Sequence, residues 1–452
     1  MKFANEKLNS MTPGEITELQ EFKLRRQIAY CFENSEFYRR KFKEAGAHPA
    51  DIKTLDDLRK LPIMMTKQDE RESQEESLER FGHPFGMHLC GRPEDIELTS
   101  TTSGTTGVPT FTYTFSSRDI NGPVADLWAH MFSSVGIQPG DRVLFAYALG
   151  VYATSMLLWG IRRMGALPID VDVRGGSDQI LKFAQLTQPV CLATTPSLAE
   201  FLIKRTPQSL GVEVSDLGFK SLLLCGEPGP GIPEVKERLE SAYAARVYDY
   251  WAPGGLGYGM SCDSDEYHGL HCYAPDYNTF QDDLIDPITK EPIDIVDGVE
   301  GELVHTSLER DACPVIRYAY GDIAKVITHE CPGCGFKGKR LKFVGRSDDM
   351  LIVKGTNIYP ASIQEIVASF YPRVTGQLKV VLEELPPRVV PPLKVKVEYG
   401  KDVDAGQLNS LGAEIKNACK VKLKINPEII FVPPGSFEAS LRKTAIFEKA
   451  YE

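Results

Sequence analysis

Between residues 141 and 251 the chain repeats one rhythm. Short apolar runs, DRVLFAYALG (141–150), GALPIDVDV (165–173), VCLATTPSLAEFL (190–202), KSLLLCGEP (220–228) and RVYDYW (246–251), alternate with stretches whose apolar residues follow helical spacing. Continuous apolar runs without polar alternation read as buried strands, and strands that alternate with helices build a parallel α/β arrangement. An open sheet of that kind offers its ligand-binding loops beyond the carboxyl ends of its strands. Gly226-Glu227-Pro228 stands at one such end.

The segments on either side have a different texture. Residues 14–46 carry apolar positions at helical spacing and stop at Gly46, which reads as packing helices. DIKTLDDLRKLPIMMTKQDE follows, broken at Leu61-Pro62, and carries no visible role beyond scaffold. From about Gly269 the chain turns to short strands and Pro/Gly/Asp turns, as in LIDPITKEPIDIVDGVEGELVHTSL. Beyond Gly345 come the helical ASIQEIVASF, the strand-like KVVLEEL and LKVKVEYG, and the helical AGQLNSLGAEIKNACKVKL. About a hundred residues in this order make a compact α+β unit. The expected division is residues 1–346 and 347–452.

At 452 residues the chain is long enough for two domains with sizeable cores. A formal charge of −11 argues against a nucleic-acid footprint, so an anionic substrate must be held by local donors. No apolar run reaches the length of a membrane span, and residues 1–22 offer no signal-peptide core. Ten cysteines without such a signal fit a reducing cytoplasm, where clustered cysteines more often hold metal than pair.

The stretch TSTTSGTTGVPT (99–110) has little helix drive and little to bury, so it is expected as a loop. Its glycines let backbone N–H groups approach an anion and its hydroxyls add donors. A Walker-type loop would need Lys-Ser/Thr after the second glycine, and Gly107 is followed by Val108 instead. A surface Ser/Thr linker is the plain alternative.

CPGC (331–334) is a CxxC in a turn-forming setting, with Cys262, His268, His271 and Cys272 upstream. That pattern suits tetrahedral zinc held by Cys262, Cys331, Cys334 and one histidine, His271 in preference to His268; a redox pair is the alternative. Four protein ligands would make the zinc structural, since a catalytic zinc keeps a position open.

The loop at 99–110, GEP (226–228), YDYWAPGG (248–255), RYAYGDIAKV (317–326), GRSDDMLIVKGTNIYP (345–360) and the terminal EASLRKTAIFEKAY occur in an order that resembles the adenylate-forming superfamily. The phenylacetate–CoA ligase branch is the most similar, over about residues 50–452. The resemblance implies an α/β N-terminal domain of stacked sheets and helices with a small mobile α+β C-terminal domain. It implies ATP as cosubstrate, with Ser103, Gly104, Thr105, Thr106 and Gly107 around the triphosphate. Gly226, Glu227, Pro228, Asp249, Tyr250 and Trp251 would wall the adenine, Trp251 stacking on it; alone, these aromatics read equally as core. Asp322 would take the ribose hydroxyls, which a carboxylate suits by accepting two hydrogen bonds. Arg346 would contact the nucleotide and Asp348 would be the hinge. Lys354-Gly355 would face the incoming thiol of coenzyme A. Lys443 would bridge the carboxylate and α-phosphate as a point charge, with Thr105 beside it.

Tyr147, Tyr152 and Ala252-Pro253-Gly254-Gly255 would line the acid's pocket, whose mixture of small and aromatic residues suits a flat aromatic acid. Two departures from the branch stand out. Gly255 occupies the place of a glutamate that helps hold Mg2+, and Val108 the place of a frequent lysine. The expected activity is ATP-dependent conversion of a carboxylic acid to an acyl-adenylate and then a coenzyme A thioester. Transfer to an amine or a carrier protein, and a nucleotide-binding regulatory protein on a decayed scaffold, are the alternatives. A homodimer is left open.

Overall fold

The computed structural model describes residues 8, 11–101, 109–151, 154–227, 229–253, 257–437 and 446–451. The rhythm of residues 141–251 folds as five parallel strands in the order Leu167–Asp170, Arg142–Phe145, Cys191–Thr194, Ser221–Leu224 and Arg246–Trp251. Side chains alternate between two cores, as a period of two requires. Val143, Phe145, Leu223 and Tyr248 pack with the helices Pro123–Ser134 and Thr154–Arg163. Leu144, Leu192, Leu222, Leu224 and Val247 pack on the other face against Ser177–Thr187, Pro196–Leu210 and Pro233–Tyr243.

The run 190–202 is half strand and half helix. Cys191–Thr194 enters the sheet, then Thr195 caps a helix with Pro196 at its first position, where the missing N–H costs nothing. The expected single apolar strand is corrected to that extent.

Beyond Trp251 the sheet continues antiparallel through Gly259–Met260, Leu270–His271, Arg340–Arg346, Tyr318–Ile327, Glu300–His305 and Leu284–Ile285. The parallel and antiparallel halves are thus one sheet joined by short strands. The N-terminal helices Pro13–Asn34 and Glu36–Glu44 bury Leu24, Ile28, Phe37 and Phe42 against Val315, Ile316 and Tyr318. Residues from Leu351 onward bury a core of their own, including Val353, Ile363, Val380, Val395, Leu411 and Ile415. Ile96–Ser100 pairs antiparallel with Tyr113–Ser116, the two strands between which the Gly/Thr stretch lies in the sequence.

Among the described residues no helix is long and apolar enough to cross a membrane, and all ten cysteines are free.

Candidate active site and candidate metal centre

The site forms where the last parallel strand meets the antiparallel half. Asp322 on Tyr318–Ile327 and Arg346 on Arg340–Arg346 are register partners, and their side chains meet at 2.5 Å. The Trp251 indole Nε1 donates to the other Asp322 oxygen at 3.1 Å. Asp322 is buried, so both oxygens being bonded is what makes a charge tolerable there. Arg346 also donates to the Tyr320 carbonyl (3.0 Å) and grips Asp348 from Nε (2.9 Å). Burial alone would weaken the Arg346 charge, but Asp322 and Asp348 keep it more firmly protonated than usual.

The Trp251 ring lies 4.9 Å from Phe343, 5.1 Å from Phe280 and 5.7 Å from His305, centroid to centroid. It is therefore part of an aromatic cluster and orients the Asp322 carboxylate, a contact that stacking on a base does not describe.

Asp348 lies in the turn Ser347–Asp349 and is held from both sides of the chain. Besides Arg346, Lys67 Nζ bonds it at 2.8 Å. Burial works against its charge, yet Arg346 and Lys67 hold its carboxyl well below the usual carboxylate range. Lys67 also sits 5.3 Å from the Tyr320 ring centroid, and Tyr320 shares a hydrogen bond of 2.6 Å with Tyr113 of the strand Tyr113–Ser116. A cleft of about 580 Å3, lined by Lys67, Tyr320, Gly321 and Asp348 among others, opens this corner to solvent. The segment read from sequence as scaffold thus supplies Lys67 to the Ser347–Asp349 turn. A lone lysine opening a polar helix carries no sequence signal of that.

Asp249 keeps some solvent exposure, but the protein around it pushes its pKa up to about 7 even though Tyr267 donates to it at 2.8 Å. Gly226 takes φ +96°, a conformation that favours glycine, and the neighbouring Glu227 accepts the Ser197 N–H at 3.2 Å. Lys354 and Gly355 form the exposed two-residue tip between Leu351–Val353 and Thr356–Ile358, both at positive φ.

On the acid side, Tyr147 is buried. Its hydroxyl donates to the Thr194 carbonyl at 2.6 Å and receives one from Tyr250 at 3.1 Å. Of Tyr147, expected to line the acid's pocket, the hydroxyl is committed inside the sheet. Ala252 is half-buried and packs on that same core, with Pro253 buried after it. Ser103, Gly104, Thr105, Thr106, Gly107, Tyr152, Pro228, Gly254, Gly255 and Lys443 lie outside the described residues. The stems of the Gly/Thr stretch are inside them: the Thr101 N–H donates to the Gly150 carbonyl at 3.2 Å, and the Pro109 carbonyl accepts from Gln74 at 3.0 Å.

The Cys/His residues converge at the junction of the two half-sheets. Ligand atoms of Cys262, His271, Cys331 and Cys334 all lie within 4.8 Å of one another. His271 is buried and its Nδ1 lies 3.2 Å from the Gly269 carbonyl, which leaves Nε2 facing Cys334 Sγ at 3.3 Å. Burial lowers the His271 pKa to about 4, so its ring is neutral and able to ligate. His268, the alternative ligand, is not in this group; its carbonyl accepts from Arg340. Burial and the neighbouring thiols push Cys262 up to about 12, the cost of gathering sulfurs that a cation would remove. Three thiols and an imidazole are the donor set of a structural zinc.

Residues 355–448 match the family described as AMP-binding enzyme C-terminal domain. The phenylacetate-coenzyme A ligase of Escherichia coli (strain K12) is 31% identical over 379 residues, covering 81% of this chain and 80% of that one. Among solved structures, 2-hydroxyisobutyryl-CoA ligase in the postadenylation state with R3-HIB-AMP is similar at a TM-score of 0.84. That match has 27% identity and covers 98% of this chain and 91% of that one. The same ligase in its thioesterification state, with 2-HIB-AMP and CoA, gives 0.69 at 27% identity, covering 99% and 92%. At the same identity and a coverage within one per cent, the arrangement here is thus nearer the postadenylation one. The fold and site define an adenylate-forming enzyme. The chain belongs to the phenylacetate–coenzyme A ligase family, and with it to the acid–thiol ligases.

Proposed function

We propose that the protein activates a carboxylic acid with ATP, releasing pyrophosphate, and passes the acyl group from the adenylate to coenzyme A, releasing AMP. The observation that carries this reading is the corner Asp322–Arg346–Trp251, a buried carboxylate fixed on both oxygens beside an exposed cleft. In it Asp322 receives the ribose hydroxyls, and Arg346 adds positive charge near the phosphates. The loop Ser103–Gly107 cradles the triphosphate and Lys443 neutralises charge as the acid attacks the α-phosphorus. The enzyme's contribution is positioning and charge stabilisation, AMP being a far better leaving group than hydroxide. Mg2+ arrives with ATP. Gly255 and Val108 leave the site two charges short of the branch's usual set, which predicts slow adenylation rather than none.

The division at 346/347 makes Asp348 the hinge, about which residues 347–452 turn to bring Lys354-Gly355 toward the thiol. Cys262, His271, Cys331 and Cys334 hold a zinc that staples the parallel and antiparallel halves together. The acid is aromatic, lined by Tyr147, Tyr152 and Ala252–Gly255, and the protein works in the cytoplasm.

ATP–pyrophosphate exchange across a panel of aryl, arylacetic and small hydroxy acids tests the reading, followed by chromatography of products with coenzyme A present. Exchange with an aromatic acid and accumulation of its thioester are expected. Preference for a small hydroxy acid would overturn the aromatic assignment alone. Acyl-AMP or an amide as the end product would replace coenzyme A as acceptor, and no exchange with any acid would favour the regulatory reading.

A further inference from the structure

The helix Lys67–Phe81 buries a polar stripe. Its enclosed residues are Glu70, Ser73, Gln74 and Ser77, the i, i+3, i+4, i+7 positions that a packing helix ordinarily fills with apolar side chains. Buried polar groups are costly unless hydrogen-bonded, and each of these is bonded to a segment outside the helix. Glu70 accepts from the Tyr318 hydroxyl at 2.8 Å. Ser73 Oγ accepts the Met87 N–H at 2.8 Å and pairs with His88 at 2.9 Å. Ser77 Oγ donates to the His83 carbonyl at 2.8 Å and accepts the Gly86 N–H at 3.0 Å. Ser73 and Ser77 therefore fix the chain at 83–88, and Glu70 fixes the strand that bears Asp322.

Gln74 reaches elsewhere. Its Nε2 donates to the Pro109 carbonyl at 3.0 Å and its Oε1 accepts the Phe111 N–H at 2.8 Å. One amide side chain thus supplies the donor and acceptor that a neighbouring strand would offer to residues i and i+2. It does so immediately after the Gly/Thr stretch, on the stem that leads into Tyr113–Ser116. On the opposite stem the Thr101 N–H donates to the Gly150 carbonyl and the Thr99 hydroxyl pairs with that of Thr114 at 2.9 Å.

We propose that Gln74 is a positioning residue for the triphosphate loop: its amide fixes where the loop's exit stem stands relative to the Asp322 corner. The inference rests on the reading of Ser103–Gly107 as the ATP phosphate loop. A positioning role for ATP predicts an effect on the first half-reaction and none on the second, where acyl-adenylate meets coenzyme A.

The test uses the full chain and measures two rates: acid-dependent ATP–pyrophosphate exchange, and thioester formation from supplied acyl-adenylate and coenzyme A. Losing both hydrogen bonds in Gln74→Ala should raise KM for ATP about thirtyfold, at roughly 1 kcal/mol per bond. The second rate should stay within about twofold. Gln74→Met keeps the volume without the amide and should behave alike, which carries the test should the alanine variant fold poorly. Ser77→Ala removes a bond of the same helix that serves 83–88; it should lower the melting temperature and leave KM for ATP unchanged. A wild-type KM in Gln74→Met, or equal losses in both half-reactions, would overturn the proposal. Absence of exchange in the unsubstituted protein would instead sink the functional reading beneath it.

Discussion

Asp322 and Arg346 face each other across adjacent antiparallel strands, with carboxylate and guanidinium 2.5 Å apart and the Trp251 indole on the carboxylate's other oxygen. The pair is set by register, so neither side chain needs to search for the other. Asp322→Asn would keep the shape, halve the acceptor capacity and leave the half-buried Arg346 short of a counter-charge. A hydrogen bond to a charged group is worth about 1.5–3 kcal/mol, so KM for ATP should rise roughly 10- to 100-fold in pyrophosphate exchange. An unchanged KM in a folded variant would remove Asp322 from the nucleotide site.

The cluster of Cys262, His271, Cys331 and Cys334 joins three separate stretches of chain, so a metal there would bind the folded state and not the unfolded one. Elemental analysis of protein purified without added metal should find about one zinc per chain. Prolonged chelation, or Cys331→Ser, should lower the melting temperature by several degrees while Cys272→Ser, outside the cluster, leaves zinc content unchanged. Metal-free protein that melts at the same temperature as the native preparation would show the cluster to be an ordinary thiol group.

The sheet was legible because parallel strands write themselves as apolar runs, and each run at 141–251 holds one, although Leu167–Asp170, expected as buried, lies partly exposed at the sheet's edge. The boundary inside 190–202 was less so, since Thr195-Pro196 works as a helix cap only once the strand before it is in place. The motif singled out Asp322 as a candidate, but its fixing by Trp251 joins positions far apart in the chain. The choice of His271 over His268 turns on which ring the fold brings to the three thiols, and spacing does not encode that. The polar stripe of Lys67–Phe81 was invisible for a plainer reason: hydropathy reports burial only when the buried atoms are apolar. Glu70 and Gln74 look like surface until their partners, distant in sequence, are known.

Lys67 and Arg346 hold Asp348 in the arrangement nearer to the postadenylation relative. If residues beyond Asp348 turn between half-reactions, this grip must release. The Lys67–Asp348 pair is partly exposed, and such pairs contribute about 0–1 kcal/mol, so the effect should be modest and salt-sensitive. Asp348→Ala should slow pyrophosphate exchange up to about fivefold, and the loss should shrink as ionic strength rises. Thioester formation from supplied acyl-adenylate should fall less. An equal loss in both reactions, independent of salt, would mean that Asp348 supports the fold and not the hinge.

Asp249 gives a pH signature with a definite sign. Its carboxyl titrates near pH 7 in the folded protein because its surroundings disfavour the charge, while the ordinary aspartate value is 3.8. Between those two values the folded state binds the proton and the unfolded state does not, so stability falls as pH rises through the window. The stabilising contribution is fully present below about pH 4 and gone above about pH 7. Asp249→Asn keeps an acceptor for the Tyr267 hydroxyl and cannot ionise. Denaturant melts at pH 5 and pH 8 should therefore show a smaller loss of stability on raising pH in the variant than in the wild type. A parallel pH dependence of the two proteins would place the Asp249 pKa back in the usual range and make its neighbourhood wetter than the packing around Tyr267 and Ser261 implies.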